Sequence, residues 1–231
     1  MKTKRIERCD LSTLASKFEA IKDNEMLQYN GGDWYYNASG ICLGQCGGGN
    51  EVRIVGGQDE STIRSAIENG TCSSEHDGLG SLFSESTDIT AKTNIIKSLF
   101  PNYTGPVTAV GSLPNDAAMK LTCGTSSGNI TSLSYDEESG YFDNYYQMMN
   151  MVDHEDDHFS TCGSGMSIDE QECHALWAQG YASSFKNAPI EWQQGIINKI
   201  VQYEKKTGNT SITHEQVRNS LGITDWDYIH Y

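Results

Sequence analysis

Apolar residues recur at helical spacing in several stretches of the chain. Over 11–28, Leu11, Leu14, Phe18 and Ile21 share one stripe, with Asp10 placed as a cap. The same spacing predicts helices over 61–69, closed by Gly70, and over 89–100, closed by Pro101. Short extended runs lie between them: 51–55, ending in Gly56-Gly57, and then 107–110, 117–122 and 130–134. Gly, Pro and Asn separate the last three, which predicts a meander of short strands. Residues 29–50, rich in Gly, Asn, Tyr and Cys, read as irregular.

The last third of the chain changes character. Tyr141, Tyr145, Met148, Met149 and Val152 keep helical spacing with no Pro or Gly between 141 and 162, so a helix is predicted over 141–159. A loop with Gly163 and Gly165 follows. Ser167-Ile168-Asp169-Glu170 then matches a capping box, which starts a second helix at Ile168 that runs toward Gly180. Trp192, Ile196, Ile197, Ile200 and Val201 mark a third helix over 190–206, and Thr213 with Gln216 caps a fourth that ends near Gly222. The expected fold class is α+β: a small mixed sheet from 107–134 packed on the 141–159 helix, with a mainly helical part closing the other side of a cleft. A mixed, Gly-rich region over 1–87 would precede a catalytic domain over 88–231, or be part of it.

Composition narrows the chemistry. The 231 residues carry a formal net charge of −15, which argues against a phosphate backbone as partner, since that needs clustered Lys and Arg. No apolar run reaches the roughly 20 residues of a membrane span. The first ten residues are basic, but no hydrophobic stretch follows, so no classical signal peptide is expected and export would need another route. Seven cysteines, Cys9, Cys42, Cys46, Cys72, Cys123, Cys162 and Cys173, form no C-x-x-C pair. Free thiols and one to three disulfides fit them equally well.

One motif carries chemistry. His154-Glu155-Asp156-Asp157-His158 is H-E-x-x-H. Histidines at i and i+4 lie about 40° apart around a helix, so both can reach one metal ion. Glu155, about 100° from His154, can flank the ion and take a proton from a metal-activated water. Zinc in hydrolases usually has three protein ligands and an open fourth position. The longer H-E-x-x-H-x-x-G-x-x-H pattern fails, because Thr161 and Ser164 stand where it needs Gly and His. A Glu from the next helix is the other solution. Glu172 fits best, with Ala175 one turn later allowing close helix approach. Glu170, Asp169 and His174 are the alternatives, but Glu170 suits the cap, Asp169 the helix start, and His174 points about 200° from Glu172. Tyr181, Tyr203, His214 and Tyr228 are candidates for stabilising an oxyanion.

With Glu172, Ala175 and Gln179 forming Glu-x-x-Ala-x-x-x-Gln after the H-E-x-x-H and a Gly/Ser loop, residues 89–185 resemble gluzincin-type metallopeptidases. They are most similar to the zincin toxin domains of bacterial polymorphic toxins, including Rhs-type and type VI secretion effectors. The spacing from His158 to Glu172 is shorter than in the better-known gluzincins. The resemblance implies Zn2+ held by His154, His158 and Glu172, with Glu155 catalytic. It also implies a secreted bacterial effector delivered to a target cell and opposed by an immunity protein. The expected activity is hydrolysis of an amide bond in a peptide, a protein or a peptidoglycan peptide. A metal-dependent nuclease effector and a non-enzymatic metal-binding or interaction module are the competing readings.

Overall fold

A computed structural model describes residues 32–114, 117–124 and 130–223; the helix expected over 11–28 and Tyr228 lie outside them. Two strands open the described chain, β1 (Asp33–Asn37) and β2 (Cys42–Cys46), an antiparallel pair in the stretch expected to be irregular. The pattern hid them for a physical reason. Both faces of β1 are covered, so Tyr35 and Tyr36 are each buried but in different clusters, and no polar alternation shows. β2 is broken by Gly44 at φ 124, and the pairing shifts register between Tyr35 and Tyr36.

β3 (Val52–Val55) pairs parallel to β1, and β4 (Ser81–Leu82) pairs antiparallel to β3, giving the order β2-β1-β3-β4. Between them α1 (Gly57–Asn69) starts four residues earlier than the spacing predicts and stops at Gly70, which takes φ 63 as a helix-ending glycine should. Asp59 and Glu60 in its first turn complement the positive end of the helix. α2 (Ile89–Leu99) follows, capped by the Asp88 carboxylate.

The second sheet has three strands, β5 (Val107–Val110), β6 (Met119–Cys123) and β7 (Ile130–Asp136), in the order β5-β7-β6. It is mixed, as expected, but is not a meander: β5 runs parallel to β7, and β6 antiparallel. β7 takes the centre because it is the longest of the three and its Leu133 and Tyr135 are both fully buried. That leaves β6 as an edge strand beside α3 (Tyr145–Thr161).

α3 begins four residues after the expected start. Gly140–Phe142 forms a 3-10 turn instead, and the Asn144 side chain accepts the N–H groups of Tyr146 and Gln147, each at 3.1 Å. Met148, Met151, Val152 and Glu155 form its buried face. The first sheet meets it at its start: Tyr145 stacks on Trp34, and its N–H donates to Asn50 O at 2.7 Å. One core cluster therefore joins Tyr36, Val52 and Phe83 to Ile95, Leu133, Phe142 and Met148.

The remaining helices are α4 (Ile168–Tyr181), the unforeseen five-residue α5 (Ser183–Asn187), α6 (Ile190–Lys206) and α7 (His214–Leu221). Leu176, Phe185, Ile196, Ile200 and Val217 bind them into a second cluster. The class is α+β. Among the described residues no helix is long and apolar enough to cross a membrane.

Candidate metal centre

α3 presents His154 and His158 on the side that faces α4, one turn apart in its last two turns. Their Nε2 atoms are 3.1 Å from each other. Glu172 enters from the second turn of α4, with Oε2 3.6 Å from His154 Nε2 and Oε1 3.3 Å from His158 Nε2. The start of α4 is what sets this reach. Ser167 Oγ accepts the Glu170 N–H, and Glu170 Oε2 accepts the Ser167 N–H at 2.8 Å. Fully buried Ala175, one turn past Glu172, lets the two helices close up.

The spacing suits one ion. A tetrahedral shell with bonds of about 2.0–2.1 Å has ligand-to-ligand edges of about 3.3 Å, and one ligand atom from each of these three residues can be chosen so that all lie within 4.8 Å. Two imidazole nitrogens and a carboxylate oxygen are also a donor set that zinc takes. One detail fits less well: with Nε2 free to ligate, His154 must carry its proton on Nδ1, which is buried without a hydrogen-bond partner. The three side chains also pair with one another. Burial would raise the Glu172 carboxyl, but hydrogen bonds and charge from His154 and His158 outweigh it and hold it well below the usual carboxylate range. Burial lowers the His158 imidazole, yet its hydrogen bond to the Glu172 carboxylate and the charges of Glu155 and Glu172 leave it raised.

Glu155 projects toward β6, with its carboxylate still within electrostatic reach of both histidines. Only 6% exposed, it accepts the Leu121 N–H on Oε2 at 2.8 Å. Burial pushes its carboxyl up, against the pull of both histidines and of that N–H. The alternative third ligands are occupied elsewhere: Glu170 in the cap, and Asp169 3.7 Å from Lys206 Nζ. His174 Nδ1 lies 2.8 Å from Asp157 Oδ2 as a brace between α4 and α3. Of the oxyanion candidates, Tyr181 stacks on Trp177, Tyr203 lies under Lys206 Nζ, and His214 is exposed at the first position of α7. A shallow groove of about 580 Å3 lined by Met166, Trp177, Tyr181 and Glu204 among others includes none of the three ligands.

Sequence reasoning missed the residues that seat α3. Asn150 Nδ2 donates to Gln179 O at 2.8 Å and to Ser184 Oγ at 3.0 Å, while its Oδ1 accepts Trp192 Nε1–H at 2.8 Å. Ser184 Oγ in turn donates to Asp153 Oδ2 at 2.5 Å. The only sequence signal was a lone Asn among apolar residues on a buried helix face. No protein-family model, curated protein or solved structure matches this chain, so the site is read from its own atoms.

Proposed function

We propose that the chain is a zinc-dependent hydrolase that cleaves an amide bond. The observation that carries this is the convergence of His154, His158 and Glu172 from two helices, beside the buried carboxylate of Glu155. Zinc on these ligands would supply Lewis acidity, lowering the pKa of a water and polarising the scissile carbonyl. The chain supplies the proton acceptor. Leu121 holds Oε2 of Glu155 and so leaves Oε1 to take the proton of the attacking water. The raised carboxyl is a stronger base than an exposed one and better matched to that transfer near neutral pH.

The substrate class in this reading is a peptide, a protein or a peptidoglycan peptide, and the resemblance to zincin toxin domains is what supports reading the enzyme as an effector with an immunity partner. Glu155→Gln is the test. The variant should keep zinc, since Glu155 is not a ligand, while hydrolysis of a denatured protein or peptide library falls by about 10²–10⁴-fold. Full activity in that variant would end the mechanism, and loss of its zinc would make Glu155 a ligand.

A further inference from the structure

The edge strand and the helix of the proposed site are joined covalently. Cys123 ends β6 and Cys162 caps α3, and the two form a disulfide with their Cα atoms 5.8 Å apart. Leu121, two residues before Cys123, gives its N–H to Glu155. On the helix side, the Cys162 N–H donates to His158 O at 3.0 Å, so the cross-link anchors at the turn that carries a candidate ligand. Among the described residues β6 pairs with β7 alone, and their pairing shifts register between Thr122 and Cys123. A ladder disrupted there holds the strand end weakly, and the disulfide fixes that end onto α3.

We infer that Cys123–Cys162 is a positioning clamp for Glu155, so that the site is competent in the oxidised chain and disarmed by a dithiol reductant. Reduction breaks the S–S bond by thiolate attack. Both protein sulfurs end as thiols, and the reductant leaves as its own disulfide. β6 can then part from α3, Leu121 no longer holds Oε2, and the carboxylate loses its fixed aim. Neither cysteine touches substrate or metal in this role. The inference rests on the hydrolase reading above. The second disulfide, Cys46–Cys72, belongs to a separate cluster around Tyr35, Val55 and Ile63 and serves as the control.

The test follows the Leu121 amide by hydrogen exchange in the full zinc-loaded chain. Oxidised protein, protein reduced with dithiothreitol, and the Cys123→Ser/Cys162→Ser and Cys46→Ser/Cys72→Ser variants are compared. In the first two disrupted forms Leu121 should lose roughly tenfold or more of its protection, while the Leu133 amide, bonded to Pro106 O, keeps its own. Zinc should stay bound, and kcat should fall about tenfold or more with KM little changed. The Cys46→Ser/Cys72→Ser variant should match the oxidised chain in both readouts. Unchanged Leu121 protection after loss of Cys123–Cys162 overturns the clamp, as does an equal loss in the control. If the Cys123→Ser/Cys162→Ser variant does not fold, the oxidised chain is reduced in place: Leu121 exchanging ahead of Leu133 supports the clamp, and both exchanging together overturns it. A chain that binds no zinc refutes the hydrolase reading, whereas the Leu121 amide decides the clamp by itself.

Discussion

Glu170 and Glu172 stand two residues apart on one helix and do different work. Glu170 closes the cap with Ser167, and Glu172 reaches both histidines. Glu172→Ala should therefore weaken zinc binding about as much as His158→Ala does, read by competition with a chromogenic chelator. Glu170→Ala should leave zinc in place and lower stability by about 0.5–2 kcal/mol in urea unfolding. Stripping of the metal by Glu170→Ala or His174→Ala, with Glu172→Ala still loaded, would reverse the assignment. At this scale the three ligand candidates were legible, because a period of 3.6 fixes i and i+4 on α3 and the capping box fixes where α4 starts. The partner of Glu155 was not. Leu121 meets it only through the packing of β6 on α3, and no local spacing encodes that contact.

Helices 89–99, 190–206 and 214–221 could be read to within a residue or two because each pairs one apolar stripe with a recognisable start or stop. Strands fared unevenly. β1 is buried on both faces and β2 is glycine-broken, so neither shows the alternation by which strands are read. The order β5-β7-β6 depends on which strand buries most, a tertiary outcome. The polar network that ties α3 to the three helices after it was equally silent in the sequence, although Asn150 satisfies a donor and two acceptors there. Asn150→Ala leaves the Trp192 N–H without its buried acceptor and should cost about 1–3 kcal/mol of stability in urea unfolding. Zinc stoichiometry should stay unchanged, since α3 and α4 pack against each other beyond this one side chain. An unchanged urea midpoint would show that this network does not seat α3.

Across the whole molecule, two clusters meet at α3 and α4, and the candidate ligands lie between those helices. The acidic balance of −15 was legible from composition, and it favours cations over phosphate backbones. The pairing of Cys46 with Cys72 and of Cys123 with Cys162 was not, because connectivity follows from the fold rather than from spacing. Metal and proton compete for the same nitrogens. His158 is held above the ordinary histidine value of about 6.5, so on acidification it takes up a proton earlier than a free histidine and zinc affinity begins to fall above that pH. Zinc titration of the whole oxidised chain, with bound metal counted by elemental analysis, is the most direct test of the central claim. The account predicts about one zinc per chain near pH ~7.5, weakening as the pH falls toward 6 and lost in His158→Ala. A chain that takes up no transition metal, or that holds zinc equally well without His158, contradicts it.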